Sequence, residues 1–197
     1  MTNPLDIFKE NWVEARSLKD ANAEFCSLAT VSASGQASIR TLVLREVSKD
    51  SFVIFINKSS PKWQDLMNSG KIELLVFWPS IMQQYRIRGN VSEISQDIME
   101  SHWRKKPYES KIIDHFYAQK QAQSTIVDSR KTLLSSIDEL KEKYPSKESI
   151  PFSDNAAGIS LQASFIEHWQ DSPADRIHKR HQYHLVNGNW EKKTMVP

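Results

Sequence analysis

The segment FCSLATVSASGQASIRTLVLREVSKDSFVIFINK, residues 25–58, decides the fold. It contains three runs rich in β-branched and aromatic residues, and the turn-forming stretches SG and SKDS separate them. Short strands in such close succession favour antiparallel pairing in a barrel or curled sheet over a doubly wound parallel sheet.

The rest of the chain adds helices and further strands to this β framework. Asn3-Pro4 predicts a helix start, with asparagine as N-cap and proline at the first helical position. Asn187-Gly188 predicts a tight hairpin between the last two strands. We expect one domain over residues 1–197. Its predicted parts are an N-terminal helix over 4–22, strands over 25–58, a short helix over 60–70, strands over 71–78 and 83–95, a helical segment over about 96–144 interrupted at Pro107, and return strands over 157–195.

Composition limits the class of protein. The chain has 197 residues, is 39% hydrophobic and 25% charged, and is therefore expected to be globular. Its 26 basic and 24 acidic residues give no reason to expect nucleic-acid binding. The one cysteine, Cys26, excludes an internal disulfide, and no apolar run approaches the roughly 20 residues that span a bilayer. These features predict a cytoplasmic protein without a membrane segment.

Several common enzyme motifs are missing from the sequence. Five scattered glycines form neither a Rossmann nor a Walker-type phosphate loop, and neither HExxH nor a nucleophile elbow occurs. His178 and His181 would lie on opposite faces of a strand, and no carboxylate or cysteine partner is indicated. No metal site is predicted.

Arg176, His178 and Arg180 occupy alternate positions shortly after Trp169. Because alternate residues of a strand share one face, we expect the three side chains to lie along one side of an extended ribbon. One interpretation is a solvated strand face protected by charge, which the spacing alone favours. The other is an anion site beside an aromatic platform.

Cationic and amide side chains also occur near strand and helix ends. Arg40 and Arg45 flank the apolar stretch TLVL, but their parity differs, so a shared site requires a bulge or two separate roles. Ser60 and Lys62 lie at a helix start, where free N–H groups favour an anion and where Ser60 could instead act as N-cap.

Two further sets share a face by their spacing. The sets are Gln84, Arg86 and Arg88 on a strand, and His102, Lys106 and Ser110 on a helix. Proline at position 107 disfavours helical geometry at the residue before it, which weakens the prediction for the helical set. A solvated surface is the alternative interpretation for both.

Taken in order, these segments resemble the pyridoxamine 5′-phosphate oxidase family, the FMN-dependent split-barrel oxidases. The strongest likeness is IEHWQ followed by RIHKR, which is similar to the family's Glu-aromatic-Trp-Gln and Arg-x-His-x-Arg signature with one extra residue in the gap. Further similar segments are IRTLVLR, INKSSPKWQDL, FWPSIMQQYRIRG, WRKKPYESKI and AQSTIVDSR. The likeness extends over nearly the whole chain.

The resemblance implies a mainly β fold with α, an antiparallel, Greek-key-like FMN-binding split β-barrel with flanking helices. It implies oxidation of pyridoxamine or pyridoxine 5′-phosphate to pyridoxal 5′-phosphate, with O2 as electron acceptor, in a homodimer that holds FMN at the subunit interface. The implied catalytic residues are Arg176 and His178. The implied cofactor contacts are Arg40, Arg45, Phe55, Ile56, Lys62, Gln84, Gln123, Ser124, Trp169 and Arg180. The implied substrate contacts are Arg45, His102, Lys106, Ser110, Arg176 and His178.

Some positions depart from the family pattern. Pro61 replaces an arginine of the phosphate-binding turn, and Phe55-Ile56 replaces a Tyr-Thr pair. His102 and Lys106 stand where the family has tyrosine and arginine for the substrate phosphate, and lysine lacks the bidentate fork of arginine. Two alternatives therefore stay open: a phenazine-biosynthesis-type FMN oxidase with a reduced tricyclic substrate, and a non-catalytic flavin- or tetrapyrrole-binding split barrel.

Overall fold

The computed structural model describes residues 3–197, and these residues form five helices and eight strands. In chain order the elements are α1 Pro4–Ser17, β1 Phe25–Val31, β2 Ala37–Val47, β3 Ser51–Asn57, α2 Pro61–Ser69, β4 Ile72–Trp78, β5 Gln83–Glu93, α3 Gln96–Lys105, α4 Tyr108–Gln119, α5 Arg130–Lys143, β6 Ala156–Gln170, β7 Lys179–Val186 and β8 Asn189–Thr194.

Six strands close into an antiparallel barrel. The order is β3-β2-β1-β4-β5-β6, and a further pairing of β3 with β6 closes the sheet, while β7 and β8 extend it beyond β6. Strand β4 lies beside β1, so the first four strands take the 4-1-2-3 order of a Greek key. The predicted mainly β split barrel with flanking helices is confirmed.

The alternation of apolar residues explains why these segments form strands with one buried face. In β4 the sequence IELLVFW buries every second residue, ending at Trp78. Phe8 of α1 packs its ring against Phe52, Trp78 and Tyr85, at centroid distances of 4.9, 5.0 and 4.8 Å. Burying an aromatic ring of this size contributes roughly 2–3 kcal/mol, and Leu5, Trp12 and Ala15 are buried along the same helix.

The described chain divides into two compact units. The first contains residues 3–54, Asn68–Ser92 and Ser160–Pro197, and the second contains Phe55–Met67 and Glu93–Ile159. The second unit has its own apolar core, formed by Met99, Trp103, Ile112, Phe116, Leu140, Ile150 and Ala156. The single domain over residues 1–197 stays a prediction.

Local signals at chain reversals are mostly as expected. The Asn3 side chain accepts a hydrogen bond from the Leu5 N–H (3.1 Å), which confirms the N-cap. Asn187 and Gly188 both have positive φ (51° and 79°) and join β7 to β8 in the predicted hairpin. Gly89 allows close approach of the next strand, because a Cβ there would lie 1.8 Å from a carbonyl oxygen of β6.

Helix α1 ends at Ser17, five residues before the predicted end. Lys19 adopts the left-handed conformation (φ 55°), and the N–H groups of Lys19 and Asp20 bond to the carbonyls of Arg16 and Ala15 (3.0 and 2.9 Å). This is a Schellman termination with lysine in the place that glycine usually takes, so the sequence lacks the usual stop signal.

The predicted helical segment over 96–144 contains a second interruption. The break at Pro107 is confirmed, but α4 also ends at Gln119 and α5 begins only at Arg130. In the intervening loop, the Gln123 N–H donates to the Ser59 hydroxyl (3.0 Å), and Ser129 caps α5. No helix within residues 3–197 is long and apolar enough to cross a membrane.

Candidate active site

The turn between β3 and α2 gathers buried polar groups of the second unit. The Lys62 side chain is buried, and its Nζ donates to the Gln123 Oε1 (2.8 Å). The Gln123 N–H donates to the Ser59 Oγ (3.0 Å), and both the N–H and the hydroxyl of Ser59 donate to the Asn57 Oδ1 (3.0 and 2.6 Å). The turn thus brings together two predicted cofactor contacts, Lys62 and Gln123, through Ser59, which the sequence analysis missed.

The donors of this turn suit a phosphate group. The Asn57 Nδ2 is buried and has no hydrogen-bond partner within residues 3–197, a costly arrangement unless a ligand supplies an acceptor. The adjacent N-terminus of α2 and the Lys62 ammonium favour negative charge at the same place. The Ser60 hydroxyl donates to the Asn57 carbonyl oxygen (2.7 Å), so Ser60 closes the turn rather than displaying its hydroxyl. Ser124 follows Gln123 with a left-handed backbone (φ 71°).

Predicted substrate-phosphate residues also lie in the second unit, but not on one helix face. Helix α3 ends at Lys105, Lys106 has an extended backbone (φ −62°, ψ 138°), and α4 begins at Tyr108. The expected shared face of His102, Lys106 and Ser110 is therefore wrong, because Pro107 forces the preceding residue out of helical geometry.

Two of these residues have partners within the second unit. The His102 ring packs edge-on against Phe55 (4.7 Å between centroids). The Lys106 ammonium forms an ion pair with Asp114, whose side chain is only 10% exposed. Asp114 is not among the predicted site residues, and the sequence signal for this pair is an acidic residue on the helix that begins just after Lys106. Ile56, the other departure in β3, is buried in the same unit.

In the first unit, a β-bulge separates the two arginines of β2. Leu44 pairs with Ile54 but Glu46 pairs with Val53, so Arg45 is the extra residue. The Arg40 Nη1 donates to the Thr30 hydroxyl (2.7 Å) and to the Leu28 carbonyl oxygen (3.3 Å). The bulge is one of the two arrangements that the differing parity of Arg40 and Arg45 allowed.

An ion network covers the face of β5 that carries Gln84. Gln83, Tyr85 and Ile87 are buried while the residues between them are not, which confirms the expected shared face of Gln84, Arg86 and Arg88. Glu73 on β4 accepts from both of those arginines. The pKa of Arg86 is raised, first by its hydrogen bond to Glu73.

Glu167 is the buried centre of the same network. Its side chain is 3% exposed and accepts two hydrogen bonds from Arg180, through Nε and Nη2 (both 3.0 Å), and one from Arg86 (3.3 Å). Trp169 lies directly opposite Arg180 in the β6–β7 register. Glu167 therefore holds Arg180 in place beside Trp169. Glu167 lies within the segment IEHWQ but is not among the predicted site residues.

The predicted strand face of Arg176, His178 and Arg180 is wrong for its first two members. Strand β7 begins at Lys179, and Arg176 has a left-handed backbone (φ 62°) with its N–H bonded to the Ser172 carbonyl oxygen (2.9 Å). His178 lies in the loop before the strand. Its ring packs against Trp169 (5.0 Å between centroids), and its Nδ1 lies 2.9 Å from the Asp171 Oδ1.

On the buried face of the same strands, His168 forms a polar contact behind the network. Its Nε2 lies 2.6 Å from the Gln83 Oε1, and its ring stacks on Tyr85 (4.4 Å, 4°). Burial, reinforced by the positive charges of His181 and Lys192, lowers the pKa of His168 to about 4. No cluster of three potential metal ligands occurs within residues 3–197.

Sequence comparison with known proteins shows the family to which the chain belongs. Residues 14–144 match the family model described as pyridoxamine 5′-phosphate oxidase. The chain is 35% identical over 198 residues to the pyridoxine/pyridoxamine 5′-phosphate oxidase of Pelagibacter ubique, with 99% of this chain and 92% of that protein covered. It is 31% identical to the enzyme of the same name from Leptospira biflexa, with coverages of 99% and 89%. The chain belongs to the pyridoxamine 5′-phosphate oxidase family.

Solved structures of low sequence identity show the same fold. PhzG from Burkholderia lata in complex with tetrahydrophenazine-1-carboxylic acid superposes with a TM-score of 0.87 at 20% identity, covering 100% of this chain and 94% of that chain. A pyridoxamine 5′-phosphate oxidase-related, FMN-binding protein from Nostoc punctiforme superposes with a TM-score of 0.77 at 18% identity, with both chains fully covered.

Each compact unit of this pyridoxamine 5′-phosphate oxidase family member carries part of the predicted site. The first unit contains Arg40, Arg45, Gln84, Trp169, Arg176, His178 and Arg180. The second contains Phe55, Ile56, Lys62, His102, Lys106, Ser110, Gln123 and Ser124. Within the first unit the structure brings Trp169 together with His178 and Arg180. Within the second it brings Lys62 to Gln123 and Phe55 to His102.

Proposed function

We propose that the protein is an FMN-dependent oxidase that converts pyridoxamine or pyridoxine 5′-phosphate to pyridoxal 5′-phosphate, with O2 as electron acceptor. The observation that carries the cofactor half is the turn formed by Asn57, Ser59, Lys62 and Gln123. This turn presents a buried ammonium and an unpartnered amide N–H2 at a helix N-terminus. A phosphate monoester supplies the negative charge and the acceptor oxygens that such a donor set requires.

The proposal gives the remaining cofactor contacts to groups that the fold holds rigidly. Arg180 is fixed by Glu167 and lies across from Trp169, so a charged donor and an aromatic surface stand side by side. Gln84 adds an amide that can both donate to and accept from a heterocycle edge. Bound FMN would supply hydride acceptance, while these residues bind and orient. We further propose a homodimer with FMN at the subunit interface, as the family resemblance implies.

Arg176 and His178 would hold the pyridine ring, and Arg45, His102, Lys106 and Ser110 would hold its phosphate. Orientation of the reacting carbon then supplies much of the rate. The name of the Pelagibacter relative supports this substrate, and its identity extends over nearly the full length of both chains.

One observation favours a second candidate, oxidation of a reduced tricyclic substrate of the phenazine type. The Lys106 ammonium is already paired with Asp114, so a dianionic phosphate must compete with a carboxylate for it. A substrate with less negative charge at this end would avoid that competition. The fold shared with PhzG is compatible with this reading but is evidence of fold alone.

Flavin binding is tested first, with a matched pair of lysine variants. Lys62→Ala should lower FMN retention about tenfold or more, because it removes a buried ammonium at the turn. Lys58→Ala is the control, since Lys58 lies in the same turn but is half-buried and pairs with Glu93 (2.7 Å). A wild-type protein that takes up no FMN on titration, or equal retention by the two variants, would overturn the cofactor assignment.

The substrate is tested on FMN-loaded protein without oxygen. Addition of pyridoxamine 5′-phosphate should bleach the flavin absorbance, and admission of O2 should restore it. Flavin that stays oxidised with pyridoxamine and pyridoxine 5′-phosphates but is bleached by a reduced tricyclic carboxylic acid would replace the first candidate by the second. Flavin that none of these compounds reduces would indicate a non-catalytic flavin-binding protein.

A further inference from the structure

The loop between β6 and β7 is ordered by its own side chains. The Asp175 Oδ1 accepts hydrogen bonds from the Ser172 hydroxyl (2.7 Å) and the Ile177 N–H (2.9 Å). The Arg176 N–H closes the turn on the Ser172 carbonyl oxygen (2.9 Å). At the start of the loop, the Asp171 N–H is anchored on the Met82 carbonyl oxygen (3.1 Å). This folding returns the chain so that residue 178 lies against residue 171.

The contact formed in this way joins an imidazole to a carboxylate. The His178 Nδ1 lies 2.9 Å from the Asp171 Oδ1, with the two side chains 28% and 22% exposed. The Ser172 N–H also points at the same Nδ1, at the longer distance of 3.3 Å. One ring nitrogen cannot donate to the carboxylate and accept from the amide at the same time, so the two contacts require different tautomers. The contact with the carboxylate is shorter and charge-assisted, so the tautomer that donates from Nδ1 to Asp171 is favoured.

We propose that Asp171 is a positioning residue that holds His178 in the Nδ1–H tautomer and leaves Nε2 as a hydrogen-bond acceptor. The Trp169 ring packs against the imidazole and restricts its rotation, so the orientation of Nε2 is set by two independent contacts. The five residues between Gln170 and Arg176 form the loop that makes this contact. The role of His178 toward a substrate rests on the proposed function, whereas its tautomer follows from the contact with Asp171 alone.

An acceptor nitrogen matches the chemistry of an alcohol or amine oxidase. When such a substrate is oxidised, its carbon gives up a hydride, which bound FMN would accept together with its two electrons. The oxygen or nitrogen loses its proton, and a C=O or C=N double bond forms. An Nε2 lone pair can accept that proton, whereas an Nε2–H cannot. Asp171 favours the required tautomer because its carboxylate accepts from Nδ1–H.

The tautomer is measured directly, on protein without cofactor. Two-bond 15N–1H correlation spectra distinguish Nδ1–H from Nε2–H imidazoles, and His178→Gln identifies the signal among the six histidines. At about pH 8, where an ordinary histidine is neutral, wild type should show the Nδ1–H pattern at His178. Asp171→Asn should shift the signal toward Nε2–H, because the amide N–H2 or the Ser172 N–H then finds an unprotonated Nδ1. An Nε2–H pattern in wild type, or an unchanged pattern in Asp171→Asn, would overturn the proposal.

Asp175→Asn is the matched control, because it changes a carboxylate of the same loop that does not contact the imidazole. It should leave the His178 tautomer unchanged. In anaerobic rapid mixing of the FMN-loaded protein, Asp171→Asn should slow flavin reduction about 10²-fold while substrate affinity changes about threefold or less. Asp171→Glu should recover part of the rate. Equal slowing by the two asparagine variants would show a structural role only. An inactive wild type with the Nδ1–H tautomer would refute the proposed substrate and leave the Asp171 contact standing.

Discussion

Acidification should destabilise the barrel through His168. This side chain is 9% exposed, its Nε2 lies 2.6 Å from the Gln83 Oε1, and Tyr85 stacks on its ring. Gln83 offers a carbonyl oxygen, so the neutral Nε2–H form satisfies this contact without a charge. Burial, together with the nearby His181 and Lys192, lowers the pKa of His168 from 6.5 to about 4.

The direction and size of the effect follow from proton linkage. In the unfolded chain His168 binds a proton near its ordinary pKa of 6.5, whereas in the folded chain it stays neutral until about pH 4. The unfolded state therefore binds more protons across this window, and stability falls as pH decreases from about 6.5 to about 4. A full shift of about 2.5 pKa units corresponds to about 3 kcal/mol, of which about 2 kcal/mol should be lost between about pH 7 and about pH 5.

The assay is urea unfolding followed by tryptophan fluorescence at these two pH values. His168→Gln keeps an amide N–H2 for the contact with Gln83 but cannot titrate, so it should lose about 2 kcal/mol less than wild type on acidification. Carboxylates that titrate in the same range contribute equally to both proteins and cancel in the difference. His184→Gln removes a half-buried histidine of the neighbouring strand and serves as the control. An acid-induced loss that is the same in wild type and His168→Gln would refute the reasoning.

Two further predictions concern carboxylates that hold cations of the predicted site. Asp114→Asn should release Lys106 and tighten binding of pyridoxamine 5′-phosphate about 5–10-fold, with little change for unphosphorylated pyridoxamine. The ratio of the two KM values measures this, and an unchanged ratio would contradict it. Glu167→Gln should cost about 2 kcal/mol of stability and release FMN, because it removes a buried charge that anchors Arg180. Thermal unfolding measures the loss of stability, and FMN titration measures the loss of cofactor. Glu73→Gln is the control, because it leaves the ion pair of Arg180 with Glu167 intact. Equal effects of the two variants would contradict the role of Glu167.

The sequence was sufficient for the barrel because its strands carry a strong periodic signal. The alternation in β4, the turn-forming stretches between β1, β2 and β3, and the Asn187-Gly188 hairpin are all local properties. The turn between β3 and α2 was also predicted in part, since Lys62 follows β3 at a helix start. Ser59 and Asn57 were missed because their roles depend on Gln123, which is more than sixty residues away in the chain.

The errors lie where side chains and rare backbone conformations override periodicity. Alternating charges at 176, 178 and 180 are typical of a strand, but hydrogen bonds of Ser172 and Asp175 make a turn that includes Arg176. Lys19 ends α1 in a conformation that the sequence would suggest only for glycine or asparagine. Neither outcome is visible in hydrophobic pattern, because both depend on local backbone hydrogen bonds that compete with regular structure.

Three groups of the predicted site, Arg180, His178 and Lys106, each contact a carboxylate that affects how the group can bind a ligand. Glu167 is buried and accepts two hydrogen bonds from Arg180 at its Oε1, so it orients that arginine while the guanidinium N–H groups it does not use stay directed elsewhere. Asp171 contacts an imidazole at one nitrogen and so determines the state of the other. Asp114 meets Lys106, a single ammonium without a fork, and therefore competes directly with any anion for it. A carboxylate thus supports orientation in the first two cases and lowers anion affinity in the third, which is why substrate charge is the property that best separates the two proposed reactions.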